Sequence, residues 1–414
     1  MILRARVILP ISAPPIEDGA VVINGSKISY LASFRHLRRH ARKKIVDLGE
    51  VILLPGLINA HCHLDYTDMA GELPPPKIFT DWIGSITAAK TAWSYSDYAR
   101  SWLHGAHQLL KTGVTTVADI EAMPDLLPEV WNATPLRVFS FFEMTGIHSR
   151  RRPKEILTET IGKIDSLKHA RNRAMLSPHA PYSTLPELLK RTAIAARKRN
   201  WRVSTHIAES EQEFEMFHQA RGKMHDWLAR NGRDNSDCGR GSPVAHFARN
   251  KLLGENVLAI HVNYLARGDA TMLAKNRTNV VHCPRSHAYF KHARFERERL
   301  AKAGVNLCLG TDSLATTARS GNQKPELDLF AEMRLLAERD PGVSPADILR
   351  MATVNGARAL GLAGKIGELS KNAFADIIAI PFNGEIGNVH ETLLKHTGSV
   401  RASLIEGNWA IPPQ

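Results

Sequence analysis

The 414-residue sequence contains little cysteine and no long apolar run. Its cysteines form no CxxC pair, so the sequence predicts neither a disulfide framework nor a structural zinc knuckle. No stretch approaches the roughly 20 apolar residues that a membrane helix needs. The apolar run near the N-terminus is too short for a secretory signal. These absences predict a cytoplasmic protein that does not interact with a membrane.

A nucleic-acid-binding motif is also missing, although the formal net charge is +13. The basic residues are spread over separate stretches, at 41–44, 149–154 and 196–199, and no aromatic residues interleave with them as a stacking platform. We therefore expect the charge to serve surface solvation and expect no nucleic-acid partner. A basic nucleic-acid-binding protein that retains a degenerate barrel is the alternative of another class, and only the net charge favours it.

The two ends of the chain share a pattern that differs from the middle. Residues 1–54 and 366–414 contain short alternating apolar and polar segments separated by turn residues, which predicts one small discontinuous β-sandwich domain. Residues 55–365 alternate short apolar runs with helical stretches, as repeated β/α units do. The predicted fold is therefore an α/β protein with a (β/α)8 TIM barrel and a small β domain.

Eight apolar runs account for the eight barrel strands. In chain order they are LLPGLINAHCHL, TTVADI, LRVFSFFEM, AMLSPHAP, WRVSTHIAES, VLAIHVNYL, NVVHCPRS and NLCLGTDS. Because the carboxyl ends of parallel barrel strands meet at one face, polar residues at those ends are expected to form an active site. Such residues are His61, His63, Asp119, Glu143, His179, His206, Glu209, His261, His282 and Asp312.

A metal site is predicted from the first, fifth and eighth runs. His61 and His63 are two residues apart on a strand and can place two imidazoles on one ion. His206 and Asp312 would complete a set of three nitrogens and one oxygen, which suits zinc, with iron as the alternative. Each residue has a structural explanation too, such as a buried histidine or a helix cap, but their joint placement at strand ends favours a site.

These motifs resemble those of the amidohydrolase superfamily. PGLINAHCHL resembles its first-strand motif, STHIAE the fifth, AIHVNYL the sixth and LGTDS the eighth. The segment SPHAPYS, which offers no lysine for a carbamate between two metals, is similar to that of the mononuclear aminohydrolase branch. HCPRSHAYF resembles the seventh-strand segment of the same group. SPHAPYS also resembles the fourth-strand segment of deaminases of adenosylhomocysteine, methylthioadenosine and aminofutalosine.

The resemblance implies roles for individual residues. One divalent metal would be held by His61, His63, His206 and Asp312. Asp312 would accept a proton from water, His261 would orient the hydroxide, and Glu209 would protonate the ring nitrogen of the substrate. His179 and His282 would contact the substrate. From the residues themselves, Trp82, together with Phe79, could stack on a heterocycle, or the pair could simply pack locally.

The predicted function is hydrolysis of a non-peptide carbon–nitrogen bond in a small heterocycle. Hydrolytic deamination of an adenosine derivative, such as an aminofutalosine-like compound, is the leading form. The same barrel could instead hydrolyse a cyclic amide or act as a triazine-type chlorohydrolase, because a chloride or an alkylamine could leave in the same way. The expected oligomer is a homodimer.

Overall fold

The computed structural model describes residues 1–37, 44–147, 151–319 and 321–413. Parts of two basic stretches, 41–43 and 149–150, lie outside these ranges. Within them, no helix combines the length and the apolar composition needed to span a bilayer. The described strands, numbered in chain order, are β1 (Ile2–Ile8), β2 (Ile16–Asn24), β3 (Lys27–Ser33), β4 (Ile45–Asp47), β5 (Val51–Pro55), β6 (Leu57–Cys62), β7 (Val114–Glu121), β8 (Arg137–Met144), β9 (Arg173–Pro178), β10 (Val203–Ile207), β11 (Val257–His261), β12 (Asn279–His282), β13 (Leu307–Leu309), β14 (Ile377–Pro381), β15 (Ala402–Ile405) and β16 (Asn408–Ile411).

Helices follow most of the central strands. The described α-helices are α1 (Phe34–Leu37), α2 (Phe79–Thr91), α3 (Tyr95–Lys111), α4 (Leu127–Val130), α5 (Pro153–Ser166), α6 (Pro186–Arg199), α7 (Glu211–Gln219), α8 (Lys223–Arg230), α9 (Pro243–Arg249), α10 (Asp269–Lys275), α11 (Pro284–Tyr289), α12 (Arg297–Lys302), α13 (Leu329–Arg339), α14 (Pro345–Met351), α15 (Val354–Ala359) and α16 (Val389–Leu394). Short 3₁₀ helices span Leu64–Met69, Pro124–Leu126, Leu314–Thr316 and Ile386–Asn388. This alternation of strand and helix is the one that the sequence predicts for a β/α barrel.

The central sheet is a parallel barrel built from β6 to β13 in sequence order. Each of its strands overlaps one of the eight predicted runs, so the predicted barrel is confirmed. The ring closes between the first strand and the segment after the last. Cys62 bridges Asp312 in parallel, and the backbone N–H groups of Thr311 and Asp312 donate to the His61 carbonyl at 3.0 and 3.1 Å. Barrel closure therefore places His61 beside Asp312.

Apolar residues fill the barrel on both sides of its wall. One buried cluster includes Ile58, Phe141 and Ile260, and the residues of α15 belong to the same cluster. A larger cluster packs the helices onto the outer face of the strands, with Trp102 of α3 fully buried in it. Side chains alternate between these clusters along each strand because strand residues have a period of two. The predicted site residues lie at the carboxyl ends of the strands, where the apolar interior of the barrel ends.

Strands from both ends of the chain form a second, mixed sheet. β1 pairs with β2 in antiparallel and with β5 in parallel orientation, and β14 pairs antiparallel with β5. The full order is β16-β15-β14-β5-β1-β2-β3, with β4 beside β1. The predicted association of the two ends is confirmed, while the exact domain boundaries at residues 54 and 366 stay a prediction. Gly56 alone separates β5 from β6, and a Cβ there would lie 2.1 Å from the Thr115 hydroxyl.

Candidate metal centre and active site

An irregularity in the first barrel strand directs His61 toward the barrel centre. The pairing register of β6 with β7 shifts between Asn59 and Cys62. Ile58 and Ala60 pack in the interior cluster, whereas Cys62 joins the outer one. A residue inserted in this way re-aims the side chains that follow it. His61 and His63 then stand with their ring centroids 5.0 Å apart.

Side chains around the barrel closure hold the first and last strands together. Asn59 donates to the Thr311 hydroxyl at 2.8 Å and accepts from the Thr311 N–H at 3.1 Å, entirely within the buried interior. A Cβ at position 310 would lie 2.8 Å from both the Cβ and the carbonyl oxygen of His61, so only glycine fits there. Asp312 follows with a left-handed φ of 54°, a conformation that an L-residue adopts only when its surroundings impose it.

The fifth strand delivers His206 with one nitrogen already engaged. Its Nδ1 lies 2.9 Å from the His179 carbonyl oxygen, which can only accept a hydrogen bond. The proton is therefore on Nδ1, and the Nε2 lone pair is available to a metal. His206 contacts both His61 and His63, with ring centroids 5.0 and 5.6 Å away.

Beyond His206 the chain makes a turn that presents Glu209. Ala208 has a φ of 52°, and its N–H and that of Glu209 donate to the carboxylate of Glu213 at 2.6 and 3.0 Å. Glu213 is fully buried in the first turn of α7, where Ser210 caps the helix. The carboxylate of Glu213 thus fixes the backbone that carries Glu209.

His261 ends the sixth strand in a strained conformation that brings it next to two carboxylates. Its φ is 71°, and that of Val262 is 52°. The Nε2 atom lies 3.6 Å from Glu209 Oε1 and 3.9 Å from Asp312 Oδ2, and it has no hydrogen-bond partner among the described residues. Strain of this kind is found at functional sites, where the surrounding structure over-determines it.

The ligand-type atoms converge closely enough to hold one ion. In the described part of the chain, two sets of three residues bring their ligand atoms within 4.8 Å of one another: His61 with His63 and His206, and His61 with His261 and Asp312. Both ring nitrogens of His61 are buried without a partner among the described residues, and an orphaned buried nitrogen is costly. Asp312 Oδ1 lies 3.3 Å from His61 Nε2 and 3.6 Å from His63 Nε2. Three imidazoles and one carboxylate fit a divalent metal such as zinc.

Burial and neighbouring ionisable groups shift the pKa values of the site residues in different directions. Burial, aided by neighbouring imidazoles, lowers the pKa of His63 and His206 well below the usual range, and burial lowers that of His261 to about 3. Burial and the nearby carboxylates of Asp312 and Glu213 raise the pKa of Glu209 well above its usual range. Although burial by itself raises the pKa of Asp312, the imidazoles of His61, His261 and His63 around it outweigh that effect and lower the pKa well below its usual range. An acid and a base thus lie side by side.

A cavity of about 780 Å³ opens over these residues. His63, His206, Glu209 and Asp312 all line it, as does His179, whose Nδ1 lies 2.6 Å from the Ser183 hydroxyl. This volume falls within the range of about 300 to 1,000 Å³ that small-molecule sites occupy.

Trp82 contributes to the wall of the same cavity from a helix. Phe79 and Trp82 are about one turn apart on α2, with ring centroids 5.8 Å from each other. Phe79 is buried against Tyr182 and Phe290. Trp82 is the one of the pair that lines the cavity, and its Nε1 has no partner among the described residues.

His282 does not join the other predicted substrate residues. It is the last residue of the seventh barrel strand, β12, but its ring stacks on Phe295 with centroids 3.9 Å apart and lines a different, smaller cavity. Residue type and strand-end position do not reveal this, because the side-chain direction depends on what packs against the ring.

Several cavity residues have no role in the sequence-based prediction. Glu143 is recognisable as a polar strand end, yet it carries no assigned role there. Tyr66 lies in a segment with no motif of its own, and Tyr182 lies in SPHAPYS, where the prediction gives a role only to His179. Lys90 reaches the cavity from α2 and lies 4.7 Å from the Tyr66 ring centroid. The spacing of Lys90 could have identified it in the sequence. Trp82, Ile86 and Lys90 are four residues apart, so they share one face of α2, and all three line the cavity.

Asp119 supports the loop that carries His63 and does not line the cavity. Its carboxylate accepts from the Leu64 N–H and from the Trp102 indole N–H, both at 2.9 Å. Asp119, near the end of the second barrel strand, therefore positions the segment that follows the first barrel strand.

Comparison with known proteins gives the family and the fold of this chain. A family model described as the amidohydrolase family matches residues 52–410. The chain is 31% identical over 382 residues to a 5-methylthioadenosine/S-adenosylhomocysteine deaminase of Syntrophobacter fumaroxidans, an alignment that covers 88% of this chain and 80% of the relative.

Solved structures share the fold over the whole chain. The aminofutalosine deaminase of Helicobacter pylori, in complex with methylthio-coformycin, has a TM-score of 0.87 at 21% identity and covers 99% of both chains. An adenosine deaminase from Xanthomonas campestris with bound zinc has a TM-score of 0.83 at 23% identity, covering 99% of this chain and 92% of that one. The family match and the 31% identical relative together establish that this chain belongs to the amidohydrolase family.

Proposed function

We propose that this chain is a metal-dependent hydrolase that removes the exocyclic amino group of an aminated heterocycle, with an adenosine derivative as the first substrate to test. The observation that carries the proposal is the convergence of His61, His63, His206 and Asp312 beside Glu209 and His261 at the base of one cavity. The deaminase relative, 31% identical over 88% of this chain, supports the same reaction.

The four convergent residues would hold a single divalent ion, with zinc as the first candidate and iron as the alternative. When bound at such a site, the ion lowers the pKa of water to about 7 and so supplies hydroxide at neutral pH. The free Nε2 lone pair of His206 and the orphaned nitrogens of His61 support this assignment.

The remaining steps follow from the protonation states of the chain's own residues. Asp312, held ionised, accepts the proton of the attacking water. Glu209, held protonated, donates to the ring nitrogen next to the carbon under attack. His261 is neutral and stands between the two carboxylates, where it orients the attacking oxygen. After water adds to the ring carbon, Asp312 passes the water proton to the amino group, and the C–N bond breaks to release ammonia. The proton of the added hydroxyl group returns to Glu209 as the oxo group of the product forms.

The cavity supports a substrate larger than a free base. Its volume is about 780 Å³, and its lining includes Trp82, Lys90 and Glu143 in addition to the residues of the metal centre. A heterocycle over the metal centre would leave the far part of the cavity for a sugar or another substituent. Trp82 offers an aromatic surface, and His179 offers the Nε2 atom that its bond to Ser183 leaves available.

Ammonia release by the metal-loaded protein tests the proposal. The panel consists of 5-methylthioadenosine, S-adenosylhomocysteine, aminofutalosine, guanine, cytosine and a chlorotriazine, with product mass recorded for each. We expect ammonia from an adenosine derivative and its loss in Glu209→Gln, with Glu211→Gln as the matched control because Glu211 is exposed at the start of α7. No ammonia from any compound, together with no effect of Glu209→Gln, would exclude deamination.

Three expectations from the sequence stay predictions. These are a cytoplasmic location, a homodimer and the absence of a nucleic-acid partner. The division into a terminal β domain, residues 1–54 and 366–414, and a barrel, residues 55–365, is likewise our proposal, supported by the two separate sheets.

A further inference from the structure

A second cavity of about 290 Å³ lies beside the barrel, between the loop that follows β12 and helix α13. Three histidines, His282, His287 and His292, line it, and their rings follow one another with centroids 5.3 and 5.5 Å apart. None of the three lines the large cavity over the metal centre. The second cavity therefore has no part in the proposed deamination.

Each of these rings presents a nitrogen without a partner. His282 Nδ1, His287 Nε2 and His292 Nε2 are buried and make no hydrogen bond with the described residues. The other nitrogen of His292, Nδ1, lies 3.2 Å from the Tyr264 hydroxyl. Buried polar atoms usually have partners, so three unsatisfied nitrogens on rings that line one cavity indicate a ligand or ordered water.

The charge around the cavity is positive. Arg294 and Arg339 line it with exposed side chains, and neither makes an ion pair or hydrogen bond with another described residue. The acidic residue in the lining, Asp340, is already paired with Arg297. The histidines are neutral, since burial lowers the pKa of His287 to about 4 and that of His292 to about 3. The arginines therefore supply the charge, and the imidazoles supply hydrogen-bonding atoms.

We propose that this second cavity binds a small organic anion through a carboxylate or phosphate group held by Arg294 and Arg339. Guanidinium groups match both oxyanions in shape and charge. The imidazole nitrogens would bind the polar atoms of the ligand deeper in the cavity, and Leu335 and Leu336 of α13 would contact its apolar part.

A metal ion is the competing occupant, and two observations argue against it. Among the described residues, the groups able to converge on one ion lie at the barrel centre and include none of these histidines. The two unpaired guanidinium groups would also repel a cation. The volume of about 290 Å³ is at the lower end of the range for ligand pockets, about 300 Å³, so the ligand is compact.

Isothermal titration calorimetry of the metal-loaded protein with benzoate and with inorganic phosphate tests the proposal. We expect saturable binding of at least one anion and a loss of affinity of about tenfold or more in the double variant Arg294→Gln/Arg339→Gln. Binding of benzoate alone would identify a carboxylate with an apolar body, and binding of phosphate a phosphate group. The control is Arg267→Gln/Arg401→Gln, which removes the same charge from two exposed arginines outside the cavity.

A third variant, Leu335→Trp, fills the cavity and keeps both arginines, so it is expected to abolish binding of benzoate. The proposal is overturned if neither anion binds, or if the double variant binds as the parent protein does. In the latter case the anion occupies the metal centre or another surface. Because both arginines are exposed, their replacement is not expected to affect folding. The outcome is also independent of whether the enzyme deaminates any substrate.

Discussion

Two groups of buried histidines lie near the carboxyl ends of the barrel strands, and they differ in the charge of their neighbours. His61, His63, His206 and His261 surround Asp312 and Glu209, whereas His282, His287 and His292 lie beneath unpaired arginines. Burial lowers the pKa of His63, His206 and His261 in the first group and of all three histidines in the second. Among the described residues, the histidines that can converge on one ion are those beside Asp312, whereas His282, His287 and His292 do not converge.

The two groups also differ in how the chain positions them. The first group comes from the ends of β6, β10 and β11 and from the segment after β13, which the hydrogen-bonded sheet holds in fixed relation. The second comes from one short segment, 282–292, that includes the single helix α11. The ligand atoms of the first group come from different strands and can converge on one ion. The rings of the second group lie one after another along the lining of the smaller cavity.

The strongest test of this comparison removes one histidine from each group. We expect His61→Asn to lower bound metal and to reduce kcat/KM by about 10³-fold or more, because the hydroxide source is lost. His287→Asn is the matched control and is expected to leave the metal content unchanged. Elemental analysis and ammonia release on the same samples measure both effects. Equal metal loss in the two variants would show that the groups do not differ in the way proposed.

The next test separates the acid from the metal ligands. Glu209→Gln is expected to reduce kcat by about 10² to 10⁴-fold, the usual contribution of a positioned acid or base, while the metal content stays at the parental level. The reason is that Glu209 donates a proton to the substrate and does not bind the ion. Metal loss in Glu209→Gln would instead make this residue a ligand.

A third test concerns the pH dependence of stability in the second group. The pKa of His287 is about 4 in the folded protein, below the unfolded value of about 6.5. The unfolded chain thus binds the proton first, so stability present above about pH 6.5 is lost as the pH falls. Between about pH 7 and pH 5, the free energy of unfolding should fall by about 2 kcal/mol less in His287→Asn than in the parent protein.

Urea denaturation in phosphate-free buffer at the two pH values measures this difference. His218→Asn, in the exposed last turn of α7, is the control and should retain the parental pH dependence. A parental slope in His287→Asn would mean that the ring takes up its proton over the same pH range in the folded and the unfolded protein, so burial would not lower its pKa.

Much of this arrangement could be predicted from the sequence, because barrel geometry turns chain order into spatial proximity. Polar residues at the ends of apolar runs, such as His206 and Asp312, must meet at one face once the runs form a parallel barrel. The apolar alternation at both chain ends likewise predicted the terminal sheet. These predictions depend on periodicity, which is a local property of the chain.

What could not be predicted depends on packing. The register shift in β6 that directs His61 inward leaves no mark in the sequence. The direction of His282 is set by Phe295, thirteen positions later, which covers its ring. Glu213 reads as part of an exposed acidic helix start, yet it is fully buried. The signal for Glu213 was available, since a serine cap at position 210 followed by glutamate three residues later is a capping pattern.

The buried position of Glu213 gives the fourth test. Glu213→Gln keeps one acceptor oxygen but replaces the other with a donor that faces a backbone N–H, at Ala208 or Glu209. We expect a loss of stability of about 1 to 3 kcal/mol and a reduced kcat, because the turn that carries Glu209 loses a hydrogen bond. Glu215→Gln, a partly exposed neighbour on α7, should have little effect in urea denaturation. If Glu213→Gln is destabilised but has a parental kcat, Glu213 contributes to stability and does not position Glu209 for catalysis.

The smallest expected effect distinguishes the two members of the aromatic pair on α2. Trp82 lines the metal-centre cavity and Phe79 packs behind it, so only Trp82 can face a bound heterocycle. Trp82→Phe should raise KM by about two- to tenfold with little change in kcat, since an aromatic contact contributes about 0.5 to 1.5 kcal/mol beyond burial. Phe79→Leu should act on stability and leave KM unchanged, because its ring contacts Tyr182 and Phe290. If instead Phe79→Leu raises KM and Trp82→Phe does not, the heterocycle lies deeper in the cavity than we propose, and the wall formed by α2 serves the substituent.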